Sequence, residues 1–354
     1  MTRASESAPA RAGAGFWPMM GRSVSHRIRR AAHAGASEGR AAMIEYFHTD
    51  PSTRSLVKTP CEQPGCWIAL FDPTESELAG MAARFSIEDD DIRAPLDPEE
   101  VSRIERDHAY AMFIVDTPMH DTTPDEKRYT TIPIGIFEVE GHVVSVCSVH
   151  RVPIVSILKS QRSLHDTSDI KGFTSDILLA SSEAYFASLR AVNKRRMNLS
   201  HATDKPARKD LEELYALDAS IVYIKTSLTT NDTVFERYRR SVLAGADART
   251  VELFDDVIVE NRQALETAKI YSEILDSTID HFGLMMDYDL NHSMQLVATI
   301  TLVLCVPTVI GGVFGMNLEG IPLAESPYGF AIVTGATAAI LAVLLVVLKR
   351  LKWF

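Results

Sequence analysis

The chain has 354 residues, 46% of them hydrophobic and 23% charged, with a formal net charge of −11. That is enough for one large or two ordinary domains with a real core, which excludes a disulfide mini-scaffold and a chain disordered throughout. Residues 1–42 carry seven Arg and two acidic residues, so the rest of the chain holds −16, a charge that repels nucleic-acid phosphates and attracts cations.

Residues 1–42 are rich in Ala, Gly, Ser and Arg and lack a 7–15-residue apolar stretch, so they read as a disordered leader rather than a secretory signal. From 43 to 174 the pattern predicts an α/β cytoplasmic domain. Strand-like runs are MIEYF (43–47), WIALF (67–71), AYAMFIVD (109–116), TTIPIGIFEV (130–139) and HVVSVCSV (142–149). Two intervening stretches, 74–85 and 98–106, have helical composition. Long polar helices are expected over 175–199 and 207–227, within a helical hairpin spanning 175–248. There is no phosphate-binding G-x-x-x-x-G-K-[ST] loop and no dinucleotide fingerprint, so no organic cofactor is expected. No nucleophile–base arrangement points to an enzyme. Cys61, Cys66, Cys147 and Cys305 include no C-x-x-C pair.

From Arg249 to Phe282 there is neither Gly nor Pro, and apolar or small residues recur at steps of four and three: Phe254, Ile258, Asn261, Leu265, Ala268, Ser272, Leu275, Ile279, Phe282, Met286. That seven-residue seam predicts a stalk helix over 249–313. A lone helix cannot bury it, so either this chain's own helices or symmetric copies must cover it.

Residues 294–313 and 328–348 are charge-free runs of twenty and twenty-one residues, each about 30 Å long as a helix. Two membrane spans follow. The loop 314–327 carries Glu319 and Glu325 and no Lys or Arg, whereas the tail 349–354 holds Lys349, Arg350 and Lys352; positive charge stays inside, which puts both termini in the cytoplasm. Neither span contains an ionisable group of the kind proton relays use. Gly311 and Gly315 form a small-x-x-x-small pair suited either to helix packing or to lining a pore. Asp287 and Asp289 precede the first span. In one copy they are an acidic helix end; repeated about an axis they become rings that concentrate cations at an inner mouth. Carboxylate, amide and hydroxyl oxygens suit hard ions such as Mg²⁺, which gives up its water reluctantly.

The residues Gly315-Met316-Asn317 at the outer end of the first of two C-terminal spans, followed by Glu319 and Pro322 and then a basic tail ending in aromatics, resemble the CorA-type magnesium transporters. DDVIVENRQALETAKIYSEIL (255–275), DLNHSMQLVATIT (289–301), SIVYIKTSLTTND (220–232) and LDPEEVSRIE (96–105) carry the resemblance upstream. It implies a pentameric funnel: an α/β cytoplasmic domain, long stalk helices and two C-terminal transmembrane helices, with membrane lipid, divalent cations and four further copies of itself as partners and no nucleic acid. It implies passive flux driven by the membrane potential, with Mg²⁺ as substrate and as the cytoplasmic regulatory ligand. By position, Gly315, Met316, Asn317 and Glu319 match the outer selectivity mouth. Asn291, Met294, Val297, Cys305, Thr308 and Gly312 match the pore lining. Asp280 matches a carboxylate of a regulatory intersubunit metal site, with Asp97 the candidate partner. Pro307 lies one position later than in better-known members, and the outer loop LEGIP leans toward zinc-transporting relatives, so a zinc transporter of the same architecture is the alternative. In that reading Cys61, Cys66 and His281 are the residues with zinc-binding chemistry.

Overall fold

A computed structural model describes residues 44–120, 128–149, 152–161, 164–202, 207–243, 246–316, 322 and 326–350. The leader 1–42 lies outside them. So do Asn317 and Glu319.

The strands are β1 (Ile44–Thr49), β2 (Leu56–Thr59), β3 (Trp67–Phe71), β4 (Arg103–Arg106), β5 (Ala111–His120), β6 (Tyr129–Val139) and β7 (His142–Cys147). They form one seven-stranded sheet in the order β2-β1-β3-β7-β6-β5-β4, antiparallel except where β3 meets β7. Both faces are covered, which explains why β3 is buried at all five positions rather than alternating. On one face Ile68, Leu70, Met112, Ile114, Val144 and Val146 pack with Leu78 and Met81 of α1 (Glu75–Phe85). Thr74 and Glu77 start that helix as a reciprocal capping box. The short helix α2 (Asp89–Arg93) and a 3-10 turn (Ala94–Leu96) follow it.

The other face packs on α3 (Pro153–Ser160), α4 (Ile170–Ala202), α5 (Arg208–Ser241) and the first part of α6 (Ala248–Phe314). Trp67 stands between Phe47 and Phe173, at ring separations of 5.0 and 5.6 Å, and donates its indole N–H to Ser145 Oγ at 2.9 Å. Each such buried aromatic contributes about 1.5–3 kcal/mol by its apolar area. Further along, α4, α5 and α6 close on themselves around Tyr185, Leu189, Ile224, Leu228, Ala264 and Ala268.

Two expectations need correction. The stretch 98–106 is not helical: its second half is β4, the edge strand pairing with β5 through Arg103–Ile114 and Ile104–Phe113. The helical turns lie before it, at 89–96. α5 continues to Ser241, well past the expected end at 227, because Asn231 turns its amide onto strand β5. Asn231 Nδ2 donates to Asp116 O at 2.9 Å, and its Oδ1 accepts from Asp116 N at 2.9 Å.

The seam on α6 is covered by this chain's own helices over its first part. Phe254, Ile258, Asn261, Ala268 and Leu275 are buried, and Leu265 and Ser272 are partly so. Asn261, the polar interruption, donates Nδ2 to Leu228 O at 3.0 Å on α5, so the buried amide is paired.

The described residues up to 202 together with 212–276 make one compact unit, and 207–211 with the described residues from 277 onward belong to a second. α6 is a single helix of 67 residues, about 100 Å long, with Pro307 inside it. The last helix, α7, is Gly329–Arg350.

Candidate functional site

The second unit holds the residues that the sequence singles out. α6 and α7 each contain a stretch long and apolar enough to cross a membrane. Their side chains are largely exposed: Val297 63%, Leu304 62%, Val343 64% and Phe330 87%. Apolar surface on that scale requires lipid or other protein copies around it.

Within α6, residues advance about 100° each, so a face can be read from the numbering. Asn291, Met294, Val297, Cys305, Thr308 and Gly312 fall within about 120° of one another, and all six are exposed. Asp280 and Asp287 extend the same face toward the N-terminal side of the span, and both are exposed. Asp289 does not share it: two residues from Asn291, it points about 200° away and is partly buried. Thr301 belongs to the face although the sequence reading did not single it out. It is exposed, and its position one turn after Val297 was the available signal.

The hydroxyls of this face have a defined polarity. Thr301 Oγ1 donates to Val297 O at 2.8 Å and Thr308 Oγ1 to Leu304 O at 2.7 Å. Thr299, about 200° from Thr301, is turned inward, with its buried hydroxyl unpartnered among the described residues. At the C-terminal end of α6, Gly315 N donates to Gly311 O at 2.9 Å, and a Cβ added at Gly315 would lie 3.0 Å from that same carbonyl oxygen. Close turning of the chain is therefore a reason for Gly at 315. Met316 is half exposed.

The first unit supplies Asp97, which is exposed and whose Oδ1 accepts from Glu99 N at 3.1 Å. Among the described residues no three His, Cys, Asp or Glu side chains are grouped to hold a metal ion. Cys66 is buried with its Sγ 3.8 Å from His142 Nδ1, and burial pushes its thiol pKa up; Cys61 and His281 are exposed. Among the described residues of this unit, burial raises the pKa of four carboxyls, those of Asp116, Glu138, Asp176 and Asp218. Asp116 accepts from Ser227 Oγ at 2.6 Å, and Glu138 accepts from Tyr238 Oη at 2.6 Å. Both are held inside the sheet–helix packing by those partners, so they are elements of the fold.

An α/β body followed by a 67-residue helix with an apolar C-terminal part and by a second apolar helix is the architecture of a two-span membrane protein. A family model described as CorA-like Mg²⁺ transporter protein matches residues 62–350, and the chain belongs to that family. It is 24% identical over 295 residues to the cobalt/magnesium transport protein CorA of Methanocaldococcus jannaschii, covering 81% of this chain and 90% of that one. It is 22% identical over 309 residues to the magnesium transport protein CorA of Helicobacter pylori, with the same coverage. The solved structure of the complete M. jannaschii CorA magnesium transporter superposes with a TM-score of 0.74 at 21% identity, over 89% of this chain and 100% of that one.

Proposed function

We propose that this chain forms a homopentameric divalent-cation channel or transporter in a cytoplasmic or inner membrane, with both termini inside. Mg²⁺ is the principal ion, and Co²⁺ and Ni²⁺ are further substrates. The observation that carries the reading is the face of α6 shared by exposed Asp287 and Asn291, just before the charge-free span, and by exposed Met294, Val297 and Thr308 within it. Two spans cannot enclose a pore, so such a face conducts only when symmetric copies bring it to a common axis. Apolar side chains on α6 exposed in the single chain, among them Val259, Ile270, Leu284 and Tyr288, support contact with those copies.

Neutral oxygens suit an ion that keeps part of its hydration shell, and a ring of Asp287 carboxylates concentrates cations at the inner mouth. Asn317, Gly315, Met316 and Glu319 form the outer mouth in this reading. Flux is passive, since no ionisable group in either span offers a proton relay. The deciding experiment is metal entry into liposomes holding the purified protein, comparing Mg²⁺, Co²⁺, Ni²⁺ and Zn²⁺ under an imposed voltage or pH gradient. Voltage-driven Mg²⁺ entry is expected. Zinc entry that requires a pH gradient would reassign the substrate.

Cys305 offers a chemical test of the face. A thiophilic ion such as Cd²⁺ should block Mg²⁺ flux through the wild type and through Cys61→Ser, and Cys305→Ser should be insensitive. Block that persists in Cys305→Ser would remove this face from the pore.

Gating by cytoplasmic Mg²⁺ rests on Asp280. Its exposed carboxylate is a hard oxygen donor, as is that of Asp97, and the two fit a Mg²⁺ site shared between copies. Asp280→Lys places a fixed cation where the ion would sit. Flux measured against internal Mg²⁺ should then lose its inhibition; inhibition equal to wild type would take Asp280 out of the mechanism.

A further inference from the structure

We infer that Thr301 is a cation-selecting position of the pore, presenting one hydroxyl oxygen per copy to the hydrated ion between Val297 and Cys305. This rests on the reading of the α6 face as the pore lining. The single O–H of Thr301 is donated to Val297 O at 2.8 Å, four residues back in the helix. With its hydrogen so committed, the oxygen has only lone pairs to offer outward, and the residue is exposed on the face shared by Asn291, Val297 and Thr308.

Thr308 is in the same state, its hydroxyl donated to Leu304 O at 2.7 Å. The two oxygens are seven residues apart, about 10 Å along the helix. A divalent cation that retains its first water shell turns the hydrogens of those waters outward, so its surroundings must accept hydrogen bonds and need not donate any. Two levels of acceptor-only oxygens meet that requirement inside an otherwise apolar and thiol-lined stretch. An anion, whose shell needs donors, finds none in these two hydroxyls and only the weak S–H of Cys305 between them. Thr299 marks the contrast: two residues away, its hydroxyl is turned inward and buried, off this face.

The test is Mg²⁺ flux in liposomes for Thr301→Val, which keeps the shape and removes the oxygen, with Thr301→Ala as a second variant lacking it. Thr301→Ser restores the hydroxyl, Thr299→Val removes one off the face, and Asn317→Ala serves as a pore reference. Oligomer size is checked for each. Loss of one acceptor per copy should lower flux about tenfold in Thr301→Val and Thr301→Ala. Thr301→Ser and Thr299→Val should stay within about twofold of wild type, well inside the span of one hydrogen bond. Wild-type flux in both hydroxyl-free variants, with Asn317→Ala silent, would overturn the role of Thr301 and leave the pore reading standing. A silent wild type, or an Asn317→Ala that conducts normally, would overturn the pore reading and this inference with it.

Discussion

Asn317→Ala is expected to lower Mg²⁺ entry by about two orders of magnitude while leaving the oligomer intact. The reason lies in what the spans lack. Residues 294–313 contain no charged group to compensate an ion for lost water, so under the proposed function discrimination falls to neutral oxygens, those within the span and those at its outer end. The amide of Asn317 is the strongest such dipole in the Gly315-Met316-Asn317 run. Replacing it by a methyl group removes one acceptor from every copy at once, and hydrogen bonds to charged species are each worth about 1.5–3 kcal/mol. Alanine adds no bulk, and the substitution leaves every residue of α6 unchanged. A fluorescent Mg²⁺ indicator inside the liposomes reads the flux, and size-exclusion chromatography in detergent reads the oligomer. Normal uptake by the variant would sink the outer-mouth assignment.

The second large effect is on stability. Gly135 in β6 lies directly against the 3-10 turn, and a Cβ built there would sit 2.3 Å from Pro95 Cγ and 3.1 Å from Phe137 Cε2. Pro95 is buried and its ring cannot swing aside, so Gly135→Ala must push the turn from the sheet or distort β6 between its partners β5 and β7. Overpacking of this kind costs about 1–3 kcal/mol, occasionally more. A lowered thermal midpoint is expected in detergent. A midpoint equal to wild type would mean that the turn is free to move. Gly80, whose Cβ would meet nothing within 4 Å, is the matching control.

Much of this architecture is legible in the residues themselves. β3 occupies the expected run Trp67–Phe71 because five consecutive apolar residues satisfy two covered faces at once. α6 runs through the expected 249–313 because no Gly or Pro interrupts it before Gly283 and its seam never changes period. β2 escapes notice for the opposite reason. Four residues, LVKT, with two exposed, carry too little pattern to register, and pairing with β1 alone makes them a strand. The stretch 98–106 misleads because charged residues look helical in isolation, whereas β4 is held by its ladder to β5. The long polar run in α5 looks like a break, yet Asn231 and Ser227 point at Asp116 and Thr131, partners about a hundred residues away in sequence.

The face of α6 divides in the same way. Its apolar and amide members are visible from spacing, but the outward lone pairs of Thr301 and Thr308 and the inward turn of Thr299 depend on side-chain geometry that spelling does not carry. The sequence by itself determined that two segments enter a membrane, because transfer into hydrocarbon depends on local composition summed along a helix. The tertiary structure decided the strand order, the covering of the seam through Leu275 by this chain's own helices, and which polar groups are paired within it. Those depend on which distant segments meet, and a buried group's energy is set by the neighbour it finds.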